Sequence, residues 1–125
     1  MNNPNEHKSI VMVTGGNGFV GKRLVSYLSN RSIPVLSCVR DITPGFEYPE
    51  LVFSNGDIGE STDWSGALDG VDSIVHTAAR VHVMDEKSLD PIAEFRRINV
   101  SGTVNLARQA AEAGVRRFIY LSSVK

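Results

Sequence analysis

Four glycines crowd one short string near the start of the chain, Thr14-Gly15-Gly16-Asn17-Gly18-Phe19-Val20-Gly21. The string satisfies two spacings at once: G-x-G-x-x-G through Gly16, Gly18 and Gly21, and G-x-x-G-x-x-G through Gly15, Gly18 and Gly21. The chemistry that needs this pattern is the grip on a pyrophosphate. One glycine makes a tight turn, another lets backbone amides approach phosphate oxygens, and the last lets a helix pack closely on its strand. The helix start that follows offers free N–H groups and a partial positive charge to an anion. Such a string means little alone, but here a strand-like run precedes it and a helix-like run follows.

Other residues of interest fall farther along. Folds that hold a dinucleotide usually carry an acid about 20 residues on, for the adenosine ribose. This chain has Val39-Arg40-Asp41 there instead. The Arg40 guanidinium could pair with a ribose 2′-phosphate, which leans toward NADP, while Asp41 keeps NAD open. In Asn55-Gly56-Asp57-Ile58, a carboxylate can accept from an adenine amino group while Ile58 covers the ring. The small residues of His76-Thr77-Ala78-Ala79-Arg80 would let a dinucleotide lie across the backbone, and His76 is expected to be a packed strand residue rather than a base. Asn99 and Gly102 interrupt a helical pattern, where each is locally unfavourable, so both need a packing or ligand-related reason. Ser122 and Ser123 follow a strand-like run, where hydroxyls can meet a substrate oxygen. The three histidines are too scattered to hold a metal.

The elements that would position these groups alternate. The nearly continuous apolar run Ser9–Thr14 reads as a strand buried on both faces, and Pro34–Val39, Glu50–Ser54 (weakly), Asp72–Thr77 and Arg117–Ser122 read as four more strands. Helical spacing covers Gly18 to about Asn30, a short piece from Ser61 to about Leu68 capped by Ser61 or Thr62, and Pro91–Ala113. The long helix has Ile92, Phe95, Ile98, Val100, Val104, Leu106, Ala107 and Ala110 for its buried stripe, and Gly114 to stop it. Such alternation predicts an α/β fold, a doubly wound parallel sheet of about five strands with helices on both faces. Ligands of such sheets lie at the carboxyl ends of the strands, where the candidate residues fall.

Composition narrows the class. The chain has 125 residues, 42% hydrophobic and 22% charged, as one soluble globular domain would have. A net charge of -1 argues against a nucleic-acid partner bound by phosphate neutralisation. No apolar run is long enough to insert in a membrane, and the polar opening Met1–Lys8 lacks a secretory core, so a cytoplasmic location is expected. The one cysteine, Cys38, excludes an internal disulfide framework.

Taken in order, Thr14–Gly21, Gly56-Asp57-Ile58, His76–Ala79, Asn99–Thr103 and Phe118–Ser123 resemble the extended short-chain dehydrogenases/reductases of the NAD-dependent epimerase/dehydratase family. The ending Leu-Ser-Ser-Val-Lys is most similar to the nucleotide-sugar epimerases and dehydratases of bacterial polysaccharide synthesis. The resemblance implies that Gly15, Gly18, Phe19 and Val20 line the pyrophosphate of NAD(P). Arg40 would face the adenosine ribose, Asp57 and Ile58 the adenine, and Ala78, Ala79, Arg80 and Asn99 the nicotinamide side. Ser123 falls on the family's catalytic serine or threonine, which bonds the substrate oxygen during hydride transfer. The family's tyrosine-lysine pair is missing: the residues four after Tyr27, Tyr48 and Tyr120 are Arg31, Val52 and Val124. The expectation is therefore an NAD(P)-binding Rossmann domain over 1–125, incomplete relative to the family. It would be the amino-terminal part of a longer enzyme whose catalytic segment and substrate domain lie outside it, and inactive by itself. A nucleotide-sugar substrate and a homodimer joined through helices complete the expectation. The alternatives are an NADPH-dependent carbonyl reductase of the dihydroflavonol-reductase type and a non-catalytic dinucleotide sensor.

Overall fold

A computed structural model describes residues 9–77 and 90–121. The β-branched run Ile10–Thr14 forms β1, and Val35–Val39 forms β2, buried along its whole length. Leu51–Ser54, Val71–His76 and Arg117–Tyr120 form β3, β4 and β5. Two helices, α1 (Phe19–Asn30) and α2 (Pro91–Glu112), accompany them among the described residues. The strands make one parallel sheet in the order β3-β2-β1-β4-β5. Strand order reverses beside β1, so a crevice opens between the carboxyl ends of β1 and β4.

Alternate residues of the central strands serve opposite faces. Met12, Leu36, Cys38 and Ile74 pack with Leu106 and Ala110 of α2, and with Trp64, Ala67 and Leu68 of the segment before β4. Val13 and Val35 pack on the other face with Val25, flanked by Leu24 and Leu28 of α1. The sheet is therefore covered on both faces, as a two-sided apolar strand requires. Carboxyl-end register is tight: Thr14 lies between Cys38 and His76, and Cys38 is paired with Phe53. Residues far apart in the chain thus reach one edge.

Local chemistry sets the long helix. Asp90 caps α2, its side chain accepting from the Ala93 amide at 3.1 Å, and Pro91 fills a first-turn position whose N–H would be orphaned anyway. At the far end, the amides of Gly114 and Val115 close onto the carbonyls of Ala111 and Ala110, with Gly114 at φ 84.

Two expectations need correction. No helix forms over 61–68; the segment is a series of turns. Asp63 takes the amide and hydroxyl of Ser65, and Thr62 takes the Gly59 amide, so side chains supply bonds that a helix would need from its backbone. The buried stripe of α2 also differs. Val100, Val104 and Ile92 are exposed, while Gly102, Asn105, Leu106 and Ala110 face the core. Successive turns carry Val100 and Val104 to the far side of the helix. The Ile98 side chain lies outside those described.

Candidate functional site: a nucleotide crevice at the strand ends

The glycine string turns β1 into α1 over a bed of backbone. Gly15 adopts φ 65, a left-handed conformation that favours glycine, and its carbonyl accepts from the Gly18 amide at 2.9 Å. The Gly16 amide donates to the Cys38 carbonyl at 3.0 Å, tying the loop to β2. A Cβ on Gly16 would run into the Ser37 hydroxyl, and one on Gly21 into the Gly15 carbonyl. Gly21 therefore lets α1 pack closely on the Gly15-Gly16 turn rather than on β1 itself, and Gly16 lowers that turn onto β2.

Above that bed, the start of α1 is open. Gly18 is its N-cap, in an extended conformation with no side chain to cap it, and the first turn contains no acidic residue. Phe19 and Val20 are exposed at the rim, with the Arg23 guanidinium 5.1 Å over the Phe19 ring. Orphan amides and an uncompensated helix dipole at the carboxyl edge of the sheet suit a phosphate. Gly15, Gly18, Phe19 and Val20 thus come together at one corner of the sheet's carboxyl edge. The chain's residues fit a dinucleotide here, because the cradle is one that any larger side chain would fill.

The neighbouring part of the crevice, where an adenosine is expected from the sequence, is built from the ends of β2 and β3. The Asn55 amide donates to the Val39 carbonyl and the Gly56 amide to the Arg40 carbonyl, at 2.8 and 3.0 Å, stitching the two turns together. Arg40 and Asp57 are consequently neighbours, with Nε 3.0 Å from Oδ1, and Asp41 is 3.7 Å from the same nitrogen. Both partners are mostly exposed, at 65% and 83% of their side chains, so the pair is a surface one. Asp57 lies beside Arg40 rather than standing free for an adenine amine, a pairing that the spacing alone does not foretell.

Behind Asp57 is a cleft of about 500 Å³ lined by Asn55, Asp57, Ile58, Glu60 and Thr62 on one side and by Arg97 and Ser101 of α2 on the other. Asn55 Oδ1 is buried there without a partner among the described residues. Gly102 explains itself at this wall: a Cβ there would sit 3.0 Å from Ile58 Cγ2 and 3.5 Å from Gly59 Cα, so its bareness lets α2 approach the loop after β3. Asn99 lies three residues earlier on α2, half-buried. Neither Arg97 nor Ser101 was singled out from sequence. The signal available was their spacing of one helical turn just ahead of Gly102.

His76 is buried between the two halves of the crevice. Its Nδ1 is 2.6 Å from Thr14 Oγ1 and its Nε2 3.1 Å from Thr103 Oγ1, with Phe118 and Tyr120 rings alongside. Burial pushes its pKa down to about 4, so the ring is neutral at neutral pH and bridges β1 to α2. The Thr14 hydroxyl also accepts the Thr77 amide at 3.1 Å, which anchors the point where the glycine string begins. Cys38 is likewise buried, its pKa pushed up to about 12, and is an unreactive thiol. The expectation of a packed, non-basic His76 agrees with this geometry. Ala78, Ala79, Arg80 and Ser123 lie outside the described residues. Among the described residues, no cluster of side chains could hold a metal ion and no helix is long and apolar enough to cross a membrane.

Comparison with known proteins points the same way. A UDP-glucose 4-epimerase from Vibrio cholerae is 44% identical over 116 residues, covering 92% of this chain and 35% of that protein. A 3-beta-hydroxysteroid dehydrogenase from Mycolicibacterium neoaurum is 40% identical over 117 residues, covering 90% of this chain and 31% of that protein. Among solved structures, MoeE5 in complex with UDP-glucuronic acid and NAD superposes with a TM-score of 0.70 at 28% identity, over 92% of this chain and 37% of that one. The chain thus spans about a third of the length of the curated relatives it matches. Residues 11–125 match the family model for NAD dependent epimerases and dehydratases, and to that family the chain belongs.

Proposed function

We propose that this chain is the dinucleotide-binding part of an enzyme that acts on a nucleotide sugar as an epimerase or dehydratase. The observation that carries the reading is the uncapped, acid-free start of α1 above a loop whose Gly16 and Gly21 have no room for a Cβ. Bound NAD(P) would supply a nicotinamide carbon able to take a hydride from a sugar carbon and return it. The chain's own residues hold that cofactor in place. Gly15, Gly18, Phe19 and Val20 line the pyrophosphate, Ile58 and Asp57 take the adenine, and Asn99, Ala78, Ala79 and Arg80 flank the nicotinamide side. Ser123 bonds the substrate oxygen. The Vibrio cholerae relative named as a UDP-glucose 4-epimerase and the neighbour solved with UDP-glucuronic acid and NAD support a nucleotide sugar as substrate.

The choice between NAD and NADP turns on Arg40. A surface ion pair such as Arg40–Asp57 contributes about 0–1 kcal/mol, so a 2′-phosphate could draw the guanidinium away at little cost. The reading therefore leans to NADP. Calorimetric titration of the whole protein with NAD and NADP tests both levels. Tighter binding of NADP is expected, with Arg40→Ala removing most of the difference. Equal affinities would remove the lean, and no binding of either would remove the function.

A second reading rests on the 3-beta-hydroxysteroid dehydrogenase relative, 40% identical across the same span. The parent would then be a reductase or dehydrogenase of a carbonyl-hydroxyl pair, with exchangeable cofactor. Turnover of UDP-glucose with no cofactor added after purification favours the epimerase; turnover only with added NADPH and a carbonyl compound favours the reductase.

A further inference from the structure

The loop that lines one side of the cleft behind Asp57 has little structure of its own. It contains neither helix nor strand from Asn55 to Gly70, yet it must present Asp57 and Ile58 at a fixed distance from α2. Its internal bonds are short-range: the Thr62 hydroxyl accepts from the Gly59 amide at 2.8 Å and donates to the Asp57 carbonyl at 3.1 Å, and Asp63 and the Trp64 carbonyl accept from Ser65 and the Ala67 amide. Its ends are held by the Asn55 and Gly56 amides at the end of β2 and by Trp64, Ala67 and Leu68 in the core, and its middle is fastened by a pair of amide side chains one turn apart on α2. Asn105 Nδ2 donates to the carbonyls of Gly59 and Thr62 at 3.1 and 2.9 Å. Gln109 Nε2 donates to the same Thr62 carbonyl at 2.8 Å, and its Oε1 accepts the Trp64 amide at 2.8 Å.

The pair also fixes itself. Asn105 Oδ1 accepts from Gln109 Nε2 at 2.9 Å and from Arg108 Nη2 at 2.8 Å. Both hydrogens and both lone pairs of the Asn105 amide are therefore used, at a residue only 4% exposed. A saturated buried network of this kind holds one geometry, since any rotation of the amide would strand several partners at once. Asn105, Gln109 and Gly102 share the face of α2 that meets the loop, so the same face that lets Ile58 come close also sets how close it comes.

We propose that Asn105 and Gln109 are positioning residues for the adenine end of the site: by clamping the Gly59 and Thr62 carbonyls to α2 they set the width of the cleft that receives the purine. The inference rests on the dinucleotide reading above. The two amides touch no ligand themselves; they act through Thr62 on Asp57 and through Gly59 on Ile58.

The test uses Asn105→Leu and Gln109→Met, which keep side-chain size, add no charge and remove the donors. Leu106→Ala, on the same helix but outside the network, serves as a control for general destabilisation. Affinities of the whole protein for ADP and for nicotinamide mononucleotide are measured beside thermal stability. Either amide variant is expected to weaken ADP on the order of tenfold or more and to leave nicotinamide mononucleotide unchanged, because misplacing one wall is felt only by the group lying against it. Leu106→Ala is expected to lower the melting temperature at least as much, with ADP affinity kept. Should Asn105→Leu fail to fold, Gln109→Met, at a half-buried position, carries the comparison alone. ADP affinity unchanged in the amide variants, or lowered equally by Leu106→Ala, overturns the proposal. Failure of the unaltered protein to bind ADP is a different result, and overturns the dinucleotide reading together with it.

Discussion

His76 shows how a single buried side chain can tie the crevice at the strand ends to acidity. The ring bonds a threonine on each side, Thr14 at the glycine turn and Thr103 on α2, and is 2% exposed. Its pKa in the fold is about 4, against 6.5 for a free histidine, because burial penalises the cation. Between those values the unfolded chain binds a proton that the folded chain refuses. Stability from this site is therefore complete above pH 6.5, falls as pH drops through the window, and levels off below about pH 4. The loss amounts to about 3 kcal/mol across the window, since each tenfold difference in proton affinity between the two states is worth about 1.4 kcal/mol. Urea unfolding at about pH 7, 5.5 and 4.5 should record that decline. His76→Gln should be less stable at neutral pH yet show a flatter profile. A parallel decline in both proteins would place the acid sensitivity elsewhere.

Both helices end in the same device, with one difference in residue choice. After α2, Gly114 takes the left-handed position; after α1, Ser32 does so at φ 58, its amide bonded to the Ser29 carbonyl and that of Ile33 to the Leu28 carbonyl. A serine with a Cβ is strained there by about 1 kcal/mol, part of which glycine would give back through its freer unfolded chain. Ser32→Gly should therefore raise stability by about 0.5 kcal/mol and leave nucleotide affinity alone, as denaturant titration and calorimetry would show. Elements of this sort, set by a few adjacent residues, were legible in the sequence. The strands, α1, the α2 boundaries and the glycine corner all follow from local spacing. The turns at 61–68 were not legible, because Thr62 and Asp63 turn their side chains onto nearby amides and outcompete an otherwise helical pattern. Nor was the Asn105–Gln109 clamp, whose bonds reach 43 to 47 residues back along the chain. Polar residues in a helical stretch ordinarily mark its solvated side, and nothing near them in sequence says that a loop carbonyl will be waiting.

At the scale of the whole molecule, the sheet order β3-β2-β1-β4-β5 gathers the loops after β1, β3 and β4 along one edge, each held by a neighbour: Gly16 by Cys38, Asn55 by Val39, Thr77 by Thr14. The loops are fastened to one another, and the one after β3 also sends Trp64, Ala67 and Leu68 into the core on one face of the sheet. A dinucleotide spanning that edge would bridge the glycine corner to the cleft at Ile58 and so couple the two segments. Binding to the folded state alone stabilises by RT ln(1 + [L]/Kd), about 2.7 kcal/mol at about a hundred times Kd. The melting temperature of the whole protein should therefore climb by several degrees with NAD or NADP, and keep climbing with the logarithm of concentration beyond saturation. Amide exchange should slow in both the Gly15–Val20 turn and the Asn55–Thr62 loop, whereas AMP, which lacks the second phosphate and the nicotinamide half, should protect the second segment chiefly. Protection confined to one segment with the full dinucleotide would mean that the two halves of the edge do not serve a single ligand. An equal rise with UMP would point to a generic anion effect, since the cleft wall built by Ile58 and α2 would then have no say in which base is held.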